Sequence, residues 1–148
     1  MKLFLRALAA HIDGQAGVPG RDALLREVGR QMAALAALAP LAAVTSLEAL
    51  AAEMDAALEA MGWGRTRVAL LEAERALLFT HAGLPLVGGQ GDPPGLWLAA
   101  ALEGLYEGWM AAQPGAEAGM EARRVAGSAD QTVVIRYARG SGLSGEGR

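Results

Sequence analysis

Two glutamates are the residues whose type and spacing could best do chemistry. Glu103 and Glu107 are four residues apart in an apolar stretch that predicts a helix, so both side chains lie on one face. A pair of carboxyl groups can hydrolyse glycosides by acid–base or nucleophilic catalysis. Two glutamates on adjacent turns are more often a solvated face, and no perturbing neighbour is visible in the sequence. We therefore predict a solvated face, with a small glycosidase as the alternative.

Histidine and cysteine leave little scope for metal or thiol chemistry. The two histidines, His11 and His81, are far apart in sequence, and the chain contains no cysteine. A zinc site needs three or four converging ligands, and disulfides or thiol nucleophiles need cysteine. We predict no metal site, no catalytic residue and no cofactor.

The remaining polar motifs do not indicate an enzyme either. None of the four serines lies in a nucleophile elbow, and the glycines from Gly83 to Gly95 match no phosphate-binding pattern. Tryptophan is of more interest, because an aromatic face can stack on a sugar ring. Trp109 fits a helix core, whereas Trp63 and Trp97 fit either a core or an interface.

Length and composition favour one domain without a strongly charged partner. The 148 residues are 53% hydrophobic and carry a net charge of −3, so we expect no nucleic-acid partner. Arg6 interrupts the first apolar run too early for a secretory signal. The longest uncharged run, Gln31–Leu47, is too short to span a bilayer. We therefore expect a soluble, cytoplasmic protein.

Helices dominate the first part of the predicted fold. Apolar residues recur every four positions from Phe4 to Ile12 and form one face of a short first helix. Glycines and a proline at 14–20 end it, and Asp22 is the predicted N-cap of a second helix, which Pro40 ends or kinks. The predicted buried face of this second helix consists of Leu24, Leu25, Val28, Met32 and Leu35.

A third helix has signals at both ends. Thr45 and Glu48 fit a capping box, in which the two side chains accept hydrogen bonds from otherwise unpaired backbone amides. Apolar residues then follow at three- and four-residue steps from Leu47 to Met61, and Gly62 supplies the stop.

The rest of the chain predicts strands around one further helix. The predicted strands are Arg65–Glu72, Arg75–His81, Met120–Val125 and Gln131–Ala138, and the helix runs from about Leu96 to Gln113. The fold class is α+β, with amino-terminal helices and one later helix packed on a small antiparallel sheet of two hairpins. The domain covers residues 1–138, and residues 139–148 form a flexible Gly/Ser-rich tail.

Two glycines in the fourth helix predict a close contact. Gly104 and Gly108 lie one turn apart, and each costs the helix roughly 1 kcal/mol relative to alanine. Their presence predicts a thin helix face that another helix or another subunit approaches closely.

Several blocks of the sequence together resemble the cellulose synthase operon protein D family, the D subunits of bacterial cellulose synthases. The blocks are Leu3–Leu8, Ile12–Gly17, Asp22–Arg30, Trp63–Gly64, Pro94–Leu98, Leu102–Tyr106, Trp109, Gln113–Ala116 and Gln131–Val134. They occur in the family's order with similar spacing, and together they are far more specific than any one of them.

The resemblance implies a non-catalytic subunit that forms a ring-like octamer built from dimers. Its implied role is to help new β-1,4-glucan chains assemble into crystalline cellulose. It would either guide them through inner passages or act as a cytoplasmic scaffold that aligns synthase complexes without touching glucan. The implied partners are the other cellulose synthase subunits and a small accessory protein of the same operon. The implied location is the inner face of the inner membrane, with the periplasm as the alternative.

The implied ring also suggests where binding residues lie. Lys2, Arg6 and His11 offer hydrogen-bond donors to sugar hydroxyls, and Phe4 offers an aromatic face. We therefore predict that the first helix contacts glucan. The predicted oligomer interface consists of Gly104, Gly108 and Trp97.

Overall fold

The structure is a computed structural model, and it describes residues 2–38, 46–87, 96–113, 116–125 and 132–140. The helices are α1 (Lys2–Leu35), α2 (Leu47–Met61) and α3 (Ala99–Ala111), and the strands are β1 (Arg65–Leu71), β2 (Ala76–Ala82), β3 (Met120–Arg124) and β4 (Thr132–Arg139). The strands form one antiparallel sheet in the order β1-β2-β4-β3. The predicted α+β class with two hairpins is confirmed. The predictions for Pro40, Thr45, residues 88–95 and residues 141–148 lie outside the described residues.

Helix α3 is the centre of the molecule. Eleven of its 13 residues are buried, because α1 packs on one side of it and the sheet packs on the other. The helix predicted from this apolar stretch is confirmed, and its Leu102, Leu105 and Tyr106 are fully enclosed. Trp109 is also buried, and its indole Nε1–H donates to the carbonyl of Ala36, 2.9 Å away. This bond satisfies a backbone acceptor at the end of α1.

Helix α1 consists of two helical parts joined at a kink, in line with the two helices that the sequence predicts on either side of residues 14–20. Only Gly17 has non-helical angles inside α1, with φ of 70° and ψ of 175°. Glycine adopts such a conformation readily, and Pro19 then lies in the first turn after the kink, where its missing amide is tolerated. The prediction of an N-cap at Asp22 is wrong. Its carboxylate lies within the helix and accepts instead from the guanidinium groups of Arg21 and Arg124.

The buried side of α1 also differs from the predicted one. Ala9, Leu25 and Ala33 are buried, together with Gly29, whereas Leu24 is about half exposed. Of the other residues predicted to be buried, Val28 and Leu35 are also exposed, at 43% and 88%. The apolar periodicity predicted a wide buried face. The closest approach of α1 to α3 is instead at the small residues Gly29 and Ala33, so the contact lies at one edge of the predicted face.

The signals at the ends of α2 are confirmed in part. The N-cap is Ser46, one residue after the predicted cap, and its hydroxyl accepts a hydrogen bond from the amide of Ala49. Alanine stands where a capping box from Ser46 would need Glu or Gln, so the N-cap is present without the reciprocal bond. Gly62 ends the helix in the left-handed region, with φ of 73°, as predicted. Met54 and Leu58 of this helix are fully buried in the main core.

Both hairpins match their predicted strands within one residue. In the first, Leu71 pairs with Ala76, so the turn holds four residues and ends at Arg75, which has a positive φ of 51°. The predicted strands left only Ala73 and Glu74 between them, which are not a favoured two-residue turn, and the longer turn explains this.

Glycines bring α1 and α3 into close contact. A β-carbon added to Gly104 would lie 2.0 Å from the carbonyl oxygen of Arg26, and one added to Gly29 would lie 2.0 Å from that of Ala101. At Gly108 it would lie 2.6 Å from the β-carbon of Ala33. The thin face predicted at Gly104 and Gly108 is therefore filled by a helix of the same chain.

We predict that Gly104→Ala destabilises the protein and that Gly14→Ala does not. The added methyl group at Gly104 has no room, and we expect a loss of about 2–3 kcal/mol in the free energy of unfolding. A β-carbon at Gly14, which is in α1, meets nothing within 4 Å, so alanine there should stabilise by about 0.5–1 kcal/mol. Urea unfolding measures both, and an equal response of the two variants would contradict the close crossing.

Candidate functional site

The two glutamates singled out in the sequence are the centre of a buried charge network, which we call the carboxylate ladder. It joins Glu103 and Glu107 of α3 to arginines of α1 and to strand β3. The side chain of Glu103 is only 2% exposed and that of Glu107 only 12%. The prediction of a solvated face is therefore wrong.

Glu103 makes the first rung of the ladder. Its Oε1 accepts from Nε and Nη2 of Arg26 on α1, both at 3.0 Å. Its Oε2 accepts from the backbone amide of Arg124 at 2.7 Å and from the Nε of the same residue at 3.1 Å. Both carboxylate oxygens are thus used, one towards α1 and one towards β3.

Glu107 repeats this arrangement one turn later. Its Oε1 accepts from Nη2 and Nε of Arg30 at 2.8 and 3.1 Å, and this hydrogen bond is the main cause that raises the pKa of Arg30. Its Oε2 accepts from the backbone amide of Ala122 at 3.1 Å and from Nη1 of Arg123 at 3.4 Å. The second rung repeats the first because the two glutamates and the two α1 arginines are each four residues apart on their helices. The two β3 amides are two residues apart, which spans about the same length in a strand as four residues do in a helix.

The ladder also satisfies an edge of the sheet. Strand β3 is at one end of the strand order, and its amides at Ala122 and Arg124 bond to the two carboxylates. Unpaired edge amides invite pairing with another chain unless they are covered. The glutamates of α3 therefore accept the hydrogen bonds that a further strand would accept at this edge.

This arrangement cannot serve as a pair of catalytic carboxyls. A glycosidase needs one carboxyl that can hold a proton and a second that is open to substrate or water. Here one oxygen of each carboxylate accepts from a guanidinium group of α1, and the other accepts from a backbone amide of β3. The sequence carried one signal for these partners, namely that Arg26 and Arg30 have the same spacing as the glutamates.

A second buried cluster ties the two parts of α1 together across the kink. Asp13 precedes the kink and Arg21 follows it, and their side chains pair at 3.5 Å. The Oδ1 of Asp13 also accepts from the indole Nε1–H of Trp97 at 3.1 Å. The guanidinium of Arg21 lies 5.9 Å from the centre of the Trp97 ring, which allows a cation–π contact.

The three residues predicted at an oligomer interface therefore have partners inside the chain. Gly104 and Gly108 face α1, and Trp97 is 3% exposed. Of the two possibilities raised by the sequence, a second helix or a second subunit, the structure provides the helix. A contact of these residues with another subunit stays a prediction.

The residues predicted to bind glucan lie on the first part of α1. Phe4, Arg6 and His11 are exposed, with Phe4 at 63%. Phe4 and His11 are seven residues apart and share one side of the helix, whereas Arg6 is on the opposite side. The structure describes the backbone of Lys2 within α1. It thus brings Phe4 and His11 together and separates Arg6 from them.

His81 belongs to a buried polar network of its own. Its Nε2 lies 2.6 Å from the carbonyl oxygen of Trp63, which can only accept, so this nitrogen carries a proton. Its Nδ1 then accepts from the hydroxyl of Tyr106 at 2.5 Å. Burial lowers the pKa of His81, and the hydrogen bond to Trp63 opposes this only in part. The histidine is therefore a neutral structural residue.

Two further properties bear on the kind of site. Within the described residues, no group of three or more His, Cys, Asp or Glu side chains is placed to hold a metal ion. In the same part of the chain, no helix has the length and apolar character needed to cross a membrane.

Known proteins resemble this chain along most of its length. A profile of the family described as the D subunit of cellulose synthase matches residues 1–138. The chain is 47% identical over 114 residues to a cellulose synthase operon protein D of Komagataeibacter xylinus, and 46% identical to one of Komagataeibacter sucrofermentans. Each alignment covers 77% of this chain and 71% of the relative. The family resemblance seen in the sequence blocks is confirmed.

We predict that Glu103→Gln destabilises the protein strongly. The neutral amide would leave the partly buried guanidinium group of Arg26 without its charge partner and would leave Arg124 with Asp22 alone. It would also place an amide donor against groups that themselves donate, and we expect a loss of about 3 kcal/mol. Glu117→Gln is the matched control, because the pair of Glu117 with Arg139 is exposed and should contribute less than about 1 kcal/mol. Urea unfolding that gives similar losses for both would contradict the importance of the ladder.

We also predict that stability falls as the pH falls below the ordinary histidine pKa of 6.5. An unfolded chain takes up a proton on His81 near that pH, whereas the folded protein, with its lowered pKa, does not. The contribution of His81 to the free energy of unfolding is therefore complete above pH 6.5 and is lost progressively below it. Melting temperatures from pH 8 to 5 should decline less in His81→Gln, and parallel curves would contradict this.

Proposed function

The chain belongs to the cellulose synthase operon protein D family, and from this premise we propose that it is a non-catalytic accessory subunit of a bacterial cellulose synthase complex. In this role it promotes the assembly and export of crystalline cellulose. Its partners are the other synthase subunits, a small accessory protein of the same operon and, directly, the β-1,4-glucan chains. It acts at the inner face of the inner membrane, with the periplasm as the alternative place.

The carboxylate ladder is the observation that supports a role without catalysis. Glu103 and Glu107 were the best candidates for hydrolysis in the sequence, and both are held by arginines and by backbone amides. A carboxylate in this position stabilises the packing of α1, α3 and β3. The charges that could have formed an active site are used to hold the fold together.

The proposed assembly is a ring-like homo-octamer built from dimers. An accessory subunit that aligns many growing chains must repeat its binding surface, and a closed ring of copies does this with one kind of chain. The exposed apolar side chains on α1, including Leu35 at 88%, support self-association, because soluble monomers seldom leave such residues together in water.

Glucan contact is assigned to the first part of α1. Phe4 and His11 are exposed on one side of the helix and offer an apolar face and a hydrogen-bonding group, which is the combination that a sugar ring uses. Lys2 and Arg6 add donors to the same segment. In a ring, this segment would line an inner passage for the polymer.

We predict that the variant Phe4→Ala/Arg6→Ala/His11→Ala folds and assembles normally but lowers cellulose crystallinity. All three side chains are exposed, so the melting temperature and the mass by light scattering should not change. Binding of cellohexaose by the purified protein should weaken at least fivefold, and X-ray diffraction of cellulose from cells with this variant should show less order. Gln15→Ala, an exposed change in the same helix, is the control.

Three outcomes would contradict parts of this proposal. Cleavage of cellohexaose by the purified protein, abolished in Glu107→Gln, would mean that the chain is an enzyme. Normal crystallinity with the triple variant, together with no cellohexaose binding by the parent protein, would support the scaffold that never touches glucan. Cellulose of normal yield and order in cells without the chain would overturn the accessory role altogether.

A further inference from the structure

One flank of α1 has an apolar surface that the chain itself does not cover. Leu24, Val28 and Leu35 are 47%, 43% and 88% exposed, although all three are on a helix that packs against α3 through a neighbouring side. With the exposed Gln31 they form a set that we call the α1 seam. The seam is separate from the ladder, whose arginines leave the helix on the inner side.

The spacing of the seam is typical of helices that pair with another helix. Its four residues, Leu24, Val28, Gln31 and Leu35, are separated by steps of four, three and four. This is the alternation of the two core positions in a heptad, which places one continuous stripe against a partner helix. The single polar residue in the stripe, Gln31, is of the kind that fixes register in such contacts.

The members of the seam lie on the same flank because helical spacing places all four within a narrow arc, and two of them show how that arc relates to the packed side. Leu24 and Val28 immediately precede Leu25 and Gly29, both of which are buried. Each is thus turned by about 100° from the core contact in the same sense. Leu8, before the buried Ala9, continues the flank on the amino-terminal side of the kink.

We propose that the α1 seam docks, antiparallel, on the α1 seam of a second copy of this chain, about a two-fold axis between Val28 and Gln31. This contact rests on the proposed homo-oligomer and names the surface that joins a dimer within it. In this register Leu24 of one copy faces Leu35 of the other, and Val28 faces Gln31. Both Leu24–Leu35 layers at the ends are fully apolar.

Self-complementarity is the reason for choosing a second copy as the partner. The sequence of the seam, apolar–apolar–polar–apolar, brings the two Gln31 side chains close to the axis, one from each copy. An amide both donates and accepts, so two glutamines related by the axis can bond to each other. A foreign helix would have to supply a matching polar group at this one place.

Charge and area agree with this partner. Glu27, the charged neighbour of Val28, already pairs with Arg30 of its own chain, so two copies do not bring bare like charges together. The three apolar side chains of the seam, which are 43–88% exposed, supply apolar area toward the ~800 Å² that each partner buries in a standard interface. Because the ladder already holds α1 in place, docking of the second copy costs little conformational entropy in this helix.

Single cysteines test the register, since the chain has none of its own. Leu24→Cys and Leu35→Cys, mixed and oxidised, should give a disulfide-linked dimer on a non-reducing gel, because these positions face each other across the axis. Each variant alone should give at least fivefold less. Ala23→Cys, exposed on α1 but turned about 100° away from the seam, is the control and should give no dimer alone or in a mixture.

Light scattering tests the surface without cysteine. The parent protein should have about eight times the 15.2 kDa mass of the chain, and Val28→Glu should lower that mass at least twofold, whereas Ala23→Glu should leave it unchanged. Circular dichroism should be the same for all three, since both substituted positions are exposed.

The outcomes separate this inference from the proposed function. An oligomeric parent with an unchanged mass for Val28→Glu would overturn the seam and leave the accessory role intact. A dimer from Leu24→Cys alone that equals the mixture would overturn the antiparallel arrangement. A parent that is a monomer at micromolar concentration would overturn the proposed ring and the seam together.

Discussion

The fold depends on two buried carboxylates in its central helix. A charge that leaves water is destabilising by several kcal/mol unless a partner of opposite charge and hydrogen bonds replace the water. Glu103 and Glu107 each meet this condition through an arginine of α1 and an amide of β3, and an arginine side chain of β3 adds to each. Helix α1 and strand β3 therefore cannot shift along α3 without breaking both rungs at once.

The glycines of the α1–α3 crossing follow from the same requirement. A guanidinium group reaches a carboxylate on a buried helix only if its own helix lies close by. Gly29 and Gly104 permit that approach, because each is in contact with a carbonyl oxygen of the opposite helix where a β-carbon would clash. The glycines lower helix propensity, and the ladder and the tight packing offset this loss. Close packing on one side leaves larger residues such as Leu24 and Leu35 on the outside.

Local signals in the sequence predicted most elements, whereas contacts distant in sequence were not predictable. The strand positions, the stop at Gly62 and the helix in the apolar stretch around Glu103 follow from neighbouring residues, and all are confirmed. Asp22 failed as a cap because the helix resumes directly after Gly17, so that Asp22 lies inside it, and its carboxylate pairs with Arg124, 102 residues away. The solvated face assigned to Glu103 failed for the same reason, since Arg26 is 77 residues distant. Spacing showed that two carboxylates share a face, but it gave no sign of what that face meets.

The kink at Gly17 gives α1 two distinct surfaces and explains how one helix can take part in two proposed contacts. The second part of the helix is fixed to α3 by Arg26 and Arg30, so the seam on its outer flank is held in a constant direction. The first part turns away at Gly17, and the Asp13–Arg21 pair and the contact with Trp97 hold it at its angle. Phe4 and His11 therefore project from a rigid arm. In a symmetric assembly joined through the seam, each copy repeats this arm, and the residues proposed to meet glucan recur at regular positions around the ring.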